Sequence, residues 1–173
     1  MRSAEELRFL ILAAQREGNR LLGQALRPLG LTPSQAEVIR ILQDRGPLTL
    51  NGLGELLVCE SGNSPSRLVD RLVAVGLVSR KVAEHDRRHV ELSVTEEGVR
   101  LCGQVAEIEE KLYQSIDVAA EGRDLGQIQG FLWDFVRDLP AGQAISRRAS
   151  AEAQQTDVPD PGRRNVGPNS PDS

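Results

Sequence analysis

The sequence of 173 residues is 39% hydrophobic and 27% charged and carries a net charge of −4, a composition typical of a globular protein. No apolar run approaches the roughly 18 residues that a membrane span requires, and Glu5 and Glu6 stand where a signal peptide would carry basic residues. Two cysteines, Cys59 and Cys102, are too few to staple a fold of this size and fit a reducing compartment. We expect a soluble cytoplasmic protein.

The charge is distributed unevenly along the chain. Residues 62–90 carry six basic and three acidic side chains, a net charge of +3, whereas residues 91–140 carry four basic and eleven acidic ones, a net charge of −7. A positive segment within an acidic protein is expected of a face that binds a polyanion. Ordinary scatter of surface charge would also produce such a positive segment, so the charge alone does not distinguish a polyanion-binding face from scatter.

Apolar residues recur at three- and four-residue spacing along most of the chain, which predicts helices. The first helix is predicted over Ser3–Leu26, and Pro28 and Gly30 end it. At about 1.5 Å per residue, this helix is about 36 Å long. A helix of that length cannot be covered by a small domain alone.

The second helix has recognisable start and stop signals. Thr32 is a favoured N-cap, Pro33 suits the first turn, and Gln35 completes a capping box. Gly46-Pro47 ends the helix, and Leu48–Leu50 follows as a short extended piece.

Two shorter helices are predicted next. Asn51 is expected to cap the third helix, Gly52–Val58, and Ser64 to cap the fourth, Pro65–Val75. Gly76 is expected just beyond the fourth helix in the left-handed conformation that ends many helices.

The hydrophobic period then changes from 3.6 to 2. Val78–Ala83 and Val90–Val94 alternate apolar and polar residues around the polar turn Glu84–His89, which predicts a β-hairpin. Thr95 caps a fifth helix that runs to about Ala120.

The end of the chain is predicted as one more helix and a tail. The sixth helix is predicted over Asp124–Leu139, and Pro140 ends it. Residues 141–173 alternate proline, glycine, serine and charge, so we expect this tail to be disordered.

Three short helices followed by a hairpin are the element order of a winged helix-turn-helix. We therefore predict a mainly α fold with a small β-hairpin wing, in which the fourth helix projects as a recognition helix. Arg67 and Arg71 are four residues apart and share one face of that helix, beside Ser64 and Ser66. Arginine can bind guanine O6 and N7 in the major groove, and the hairpin tip would reach the flanking backbone or the minor groove.

The wing region resembles the signature of the MarR family, in which Asp-x-Arg is followed after five residues by Leu-Thr-x-x-Gly. Val94 stands at the position where leucine is usual, and four positions match: Asp86, Arg88, Thr95 and Gly98. Segments at residues 31–32, 46–49, 68–72 and 76–78 also resemble the family. The motifs cover residues 31–98, and the element order extends the resemblance across residues 3–139.

The resemblance implies a homodimer and a division of the chain. The first, fifth and sixth helices, at residues 3–30 and 95–139, would interlace as a dimerisation region, and residues 31–94 would form the winged helix-turn-helix DNA-binding domain. The dimer would bind a pseudo-palindromic operator in double-stranded DNA, more as a repressor than as an activator. Arg88 would enter the minor groove, and Asp86 would brace the wing. Small ligands, often aromatic or phenolic, release many family members from DNA.

Seven side chains are the candidate DNA contacts: Ser64, Ser66, Arg67, Arg71, Lys81, Arg87 and Arg88. Plainer alternatives stay open for three of them, since Arg67 could be a solvated helix arginine, Asp70 could hold Arg71 in an ion pair, and Lys81 could be an ordinary strand residue. Ser64 is expected to be a cap whose neighbouring N–H groups touch a phosphate.

The other reactive side chains favour structural roles. His85 and His89 are fewer than the three or four ligands that a metal site usually needs, so we expect wing residues and no metal or cofactor. Cys59 and Cys102 are expected as buried thiols and not as redox switches. The aromatic residues of the last two helices could form a dimer core or a ligand pocket: Tyr113, Phe131, Trp133 and Phe135.

There are two alternatives to DNA binding. A winged helix can serve protein–protein assembly alone, without sequence-specific DNA binding. An enzyme is not expected, because the sequence has no phosphate-binding glycine-rich loop, no paired nucleophile and base, and no metal-ligand cluster.

Overall fold

The computed structural model of the chain describes residues 2–58, 64–82 and 90–156. Within these ranges the chain forms seven α-helices and three short β-strands. In chain order they are α1 Ser3–Leu26, α2 Pro33–Arg45, β1 Leu48–Thr49, α3 Leu50–Gly54, α4 Pro65–Ala74, β2 Val78–Val82, β3 Val90–Val94, α5 Glu96–Ala120, α6 Leu125–Val136 and α7 Pro140–Thr156.

The first two helices begin and end where the sequence predicts. A 3-10 turn follows α1, and Gly30 takes a left-handed conformation with φ of 69°. The capping box of α2 is formed, because the Thr32 hydroxyl accepts the Gln35 N–H at 3.3 Å and the Gln35 side chain accepts the Thr32 N–H at 3.0 Å. The local sequence was sufficient here because each capping residue and its partner lie within four residues of each other.

The prediction for α3 was wrong at both ends. Thr49, not Asn51, caps the helix, since the Thr49 hydroxyl accepts the Gly52 N–H at 3.1 Å. The helix ends at Gly54 instead of continuing to Val58. Beyond it, the Val58 N–H donates to the Glu37 carboxylate, and the Glu55 and Leu56 carbonyls accept from Arg147 and Arg148, so tertiary contacts satisfy these three backbone groups.

The fourth helix starts at Pro65 as predicted, but its expected side-chain cap is not formed. Ser64 occupies the N-cap position without a hydrogen bond from its hydroxyl to the helix. Its carbonyl oxygen accepts the N–H groups of Arg67 and Leu68 instead, at 2.9 and 3.3 Å. The Arg67 N–H is therefore already bonded, and it is the group that a serine cap would have taken.

The two predicted strands form a hairpin, and a third strand joins them. The order is β1-β3-β2 with antiparallel pairing, and Leu92 of β3 stands between Leu48 and Arg80 in register. Gly76, with φ of 75°, ends α4 as expected. The Leu77 N–H reaches the Leu72 carbonyl at 2.9 Å, which closes the helix in the usual Schellman pattern.

The end of the chain differs most from the prediction. Helix α6 ends at Val136, and residues 140–156 form α7, although residues 141–156 belong to the tail that is predicted to be disordered. Pro140 was interpreted as a stop, but it is the first residue of the new helix, where its missing N–H costs nothing. Ala144, only 2% exposed, packs into the fold, so a sequence that looks polar still supplies one buried face. Residues 157–173 of the expected tail lie outside the described residues.

One hydrophobic core lies under α2, α4 and the sheet and reaches the first half of α5. Its fully buried side chains are Leu26, Val38, Ile39, Leu42, Leu53, Val69, Leu72, Val78, Leu92 and Val105. Cys102 lies at the edge of this core, and its thiol donates to the Ile39 carbonyl at 3.4 Å. Burial raises the pKa of this thiol to about 11, so it stays protonated at neutral pH. Cys59 lies outside the described residues.

Across the described ranges, no helix combines the length and the apolar character that crossing a lipid bilayer would demand.

Candidate nucleic-acid interface

Helix α4 separates an apolar face from a charged one. Leu68, Val69 and Leu72 are buried in the core, while Arg67 and Arg71 are exposed. This arrangement follows from the sequence, because residues four apart share a helix face and the buried trio occupies the other side. The two arginines are therefore held on a fixed helix whose inner face is packed.

Asp70 lies on the exposed side of α4 and pairs with β2. Its carboxylate contacts the Arg80 guanidinium at 2.6 Å. Both side chains are partly solvated, so this contact between the helix and the strand adds little stability. With Asp70 engaged by Arg80, no ion pair joins Arg67 or Arg71 to any residue in the described ranges.

Of the five remaining candidate DNA contacts, three lie within the described residues and two do not. Ser64 is exposed at the start of α4, Ser66 is half-buried two residues further on, and Lys81 is exposed on β2, where it stands opposite Glu91 in register. The predicted wing residues Asp86, Arg87 and Arg88 lie outside the described residues, as do His85 and His89.

A compact junction joins α4, the hairpin and α5. The Thr95 hydroxyl accepts the Gly98 N–H at 3.1 Å and donates to the Gly76 carbonyl at 2.7 Å, and the Thr95 N–H reaches the Leu77 carbonyl at 3.0 Å. Gly98 packs directly against that carbonyl. Two motif residues, Thr95 and Gly98, thus fix the recognition helix and the wing relative to α5.

Sequence reasoning missed one set of contacts near α4. Arg147 and Arg148 of α7 bond to the backbone just after α3, and a cavity of about 710 Å³ lies between α7 and the start of α4. No local pattern signals such contacts, because their partners are about 90 residues away in sequence.

A second cavity, of about 400 Å³, lies between α1, α2 and α5, and Arg148 of α7 also lines it. Arg40 and Glu109 line it and face each other at 3.4 Å. Burial raises the pKa of the Glu109 carboxyl, although the nearby Arg40 charge opposes the shift. Tyr113 lies at the same cavity, where burial and then the Glu109 charge raise the pKa of its hydroxyl.

The surface of α1 and α6 is unusually apolar. In α6 no side chain is buried in the single chain, and α1 has only Leu26 buried. A cavity of about 510 Å³ separates the two helices and is lined almost wholly by apolar side chains: Ala4, Leu7, Arg8, Ile11, Leu12, Phe131 and Phe135.

Comparison with known proteins places this architecture. The model of the MarR family matches residues 29–89. The organic hydroperoxide resistance transcriptional regulator of Bacillus subtilis is 29% identical over 139 residues, which cover 80% of this chain and 92% of that protein. The transcriptional regulator MhqR of the same organism is 30% identical over 60% of this chain and 75% of its own length.

Solved structures agree with the sequence comparison. A mutant of MarR from Escherichia coli, complexed with operator DNA, superposes with a TM-score of 0.67 at 26% identity and covers 76% of this chain and 94% of its own. The predicted mainly helical fold with a small wing is therefore confirmed, and the chain belongs to the MarR family of winged-helix, DNA-binding transcriptional regulators.

Proposed function

We propose that the chain reads a double-stranded operator by docking α4 in the major groove, with the β2–β3 wing on the flanking duplex. The observation that carries this proposal is the exposed pair Arg67 and Arg71 on the face of α4 opposite its buried side chains. Guanidinium groups four residues apart on one helix face can reach adjacent base edges. In this reading Arg67 and Arg71 contact bases.

The other candidate residues would position the protein on the backbone. Ser64, Ser66 and Lys81 are proposed as phosphate contacts, which fix register without reading sequence. Arg88 is proposed to enter the minor groove, where negative potential attracts arginine, with Arg87 on a phosphate and Asp86 bracing the wing.

Replacing Arg67 with alanine is expected to cost about 1–3 kcal/mol in binding free energy at one base position. The loss should vary with the base at that position, because a base contact carries sequence information and a phosphate contact does not. Binding of the wild-type and variant proteins to a set of single-base operator variants would be measured by fluorescence anisotropy.

The matched control for this experiment is Arg20→Ala. Arg20 is an exposed arginine on α1, paired with Glu17 at 2.6 Å, so its removal changes the net charge equally but leaves α4 intact. A loss for Arg67→Ala that is the same on every operator variant would make Arg67 a phosphate contact. If the wild-type chain shows no salt-sensitive binding to any duplex, this result would contradict the proposed function and favour a role in protein–protein assembly alone.

We further propose that the chain acts as a homodimer, with residues 3–30 and 95–139 forming the dimerisation region and residues 31–94 the DNA-binding domain. The apolar surface of α1 and α6 supports this division, because so large an exposed patch is rare on a monomer. A twofold dimer would set two α4 helices about one helical turn of DNA apart, roughly 34–36 Å. Its operator would then be pseudo-palindromic.

We propose that the dimer acts as a repressor and that a small aromatic ligand releases it. The cavity between α1, α2 and α5 has a volume within the range of small-molecule sites, and it joins the two proposed regions of the chain. Arg40 offers a cation for an acidic ligand, and Tyr113 offers an aromatic wall.

Millimolar benzoate is expected to weaken DNA binding by the wild-type chain, whereas Arg40→Gln should bind DNA normally and ignore benzoate. Benzoate would bring its carboxylate to Arg40 in place of Glu109. Acetate at the same concentration is the control for ionic strength, since it lacks the ring. Equal responses of the wild-type chain and Arg40→Gln to benzoate would remove this cavity as the effector site.

A further inference from the structure

Helix α7 folds back onto the helix-turn-helix through one of its faces. Ala144 and Arg148 are four residues apart and so share that face, and both contribute to it, with Ala144 buried and Arg148 half-buried. At the corner that leads into α7, a Cβ atom on Gly142 would overlap the Val136 carbonyl. The corner is therefore closely packed, and α7 is held in place from its first turn.

The side chain of Arg148 joins two separate pieces of the DNA-binding region. Its Nε donates to the Leu56 carbonyl at 2.7 Å, and its Nη2 donates to the Glu37 carboxylate on α2. The same Glu37 oxygen accepts the Val58 N–H at 2.9 Å. The Arg148 guanidinium thus links α2 to Leu56, and the Glu37 carboxylate that it contacts links α2 to Val58.

The backbone of Arg148 is also fixed. The Arg45 guanidinium, at the end of α2, donates to the Arg148 carbonyl. Arg147 makes weaker and more exposed contacts to Glu55, with 3.3 Å to its carbonyl and 3.7 Å to its carboxylate. The charge on Arg148 is the better shielded of the two, and shielding strengthens its hydrogen bonds.

The backbone tied by Arg148 precedes the recognition helix in sequence, and residues 59–63 between them lie outside the described residues. Residues 55–58 follow α3, which ends early at Gly54, and α4 begins at Pro65. Arg67 and Arg71 are exposed with α7 docked, so α7 leaves the arginine face of α4 uncovered. The contacts of α7 hold the part of the chain that precedes α4 and do not block α4 itself.

We infer that Arg148 is a positioning residue for DNA binding: it fixes the segment that precedes the recognition helix without touching DNA. The inference rests on the proposed reading of DNA by α4. A charged donor that satisfies two acceptors contributes more than a neutral hydrogen bond, and a recognition helix set loosely loses contacts that need precise geometry. On this basis, α7 contributes to DNA binding by supporting the segment that precedes the recognition helix.

Two variants of adjacent residues test the inference on the full-length chain. Arg148→Gln is expected to weaken binding about tenfold to a duplex that the wild-type protein selects from a randomised pool. Arg147→Gln removes the same charge from the same helix and should change binding less than threefold. The dependence of affinity on salt should be unchanged in Arg148→Gln, because no phosphate contact is lost.

Hydrogen exchange tests the same inference without DNA. In Arg148→Gln, peptides covering residues 50–58 should exchange faster, while those of the α2 core should not change.

Three results would overturn the inference. They are wild-type affinity in Arg148→Gln despite a lower melting temperature, equal losses in the two arginine variants, and a salt slope reduced by about one in Arg148→Gln, which would make Arg148 a direct phosphate contact. If the wild-type protein selects no duplex, the proposed function fails, whereas unchanged exchange at residues 50–58 contradicts the role of Arg148 alone.

Discussion

Replacing Gly98 with alanine is expected to lower the free energy of unfolding by about 3 kcal/mol. A Cβ atom at this position would stand 2.5 Å from Val94 Cγ2 and closer still to the Leu77 carbonyl oxygen. Neither neighbour can retreat cheaply, because Val94 is in β3 and the Leu77 carbonyl is held by the Thr95 N–H. Helix α5 would have to move away from the sheet, and the contacts of Leu101 with the core would loosen.

The same helix supplies a matched control for this prediction. Gly103 has no atom within 4 Å of the place where its Cβ would stand, so Gly103→Ala should stabilise the chain by up to about 1 kcal/mol through helix propensity alone. Urea denaturation followed by circular dichroism measures both variants. Equal stability of Gly98→Ala and Gly103→Ala would show that the close packing at Gly98 does not constrain the fold.

Replacing Phe135 with glutamate is expected to weaken the proposed dimer at least about 100-fold. Phe135 is 68% exposed in the single chain and lines the apolar cavity between α1 and α6. A charge buried at the centre of an interface has no partner there and must be desolvated, which is costly. The isolated chain should lose little stability, because an exposed side chain contributes little to its core.

Val75→Glu provides the comparison for this variant. Val75 is 65% exposed and lies at the end of α4, away from α1 and α6, so the same charge is added at the same exposure outside the proposed interface. Sedimentation equilibrium over a range of concentrations gives the dimer constant for each variant. A wild-type chain that stays monomeric, or a Phe135→Glu chain that dimerises normally, would contradict the assignment of α1 and α6 to the dimer.

Local signals in the sequence predicted most of the fold correctly. The capping box at Thr32, the left-handed Gly76 and the alternating strands each depend on residues within a few positions of one another, and each was confirmed. The change of period from 3.6 to 2 was sufficient to place both strands, β3 at its observed bounds and β2 from Val78, while Ala83 and the predicted turn lie outside the described residues.

Two errors, the end of α3 and the missed α7, lie where contacts between distant parts of the chain are made, whereas the caps of α3 and α4 differ from the prediction through bonds within four residues. The third helix ends early because Glu37 and Arg148 bond to the residues beyond it. Helix α7 was missed because its single buried face is made of small residues such as Gly142 and Ala144, which give a weak hydrophobic pattern. The candidate contacts on α4 could be selected from spacing and charge, but the partner of Asp70 could not, because Arg80 comes from another element.

The single residue between β3 and α5 has a mechanical consequence. Thr95 is bonded to the carbonyls of Gly76 and Leu77 in the turn that follows α4, so bending at the point where β3 meets α5 would have to break these bonds. We therefore expect the recognition helix, the strands of the wing and the start of α5 to move together as one rigid unit. In the proposed dimer, a change in the crossing angle of the two α5 helices would therefore change the distance between the two α4 helices.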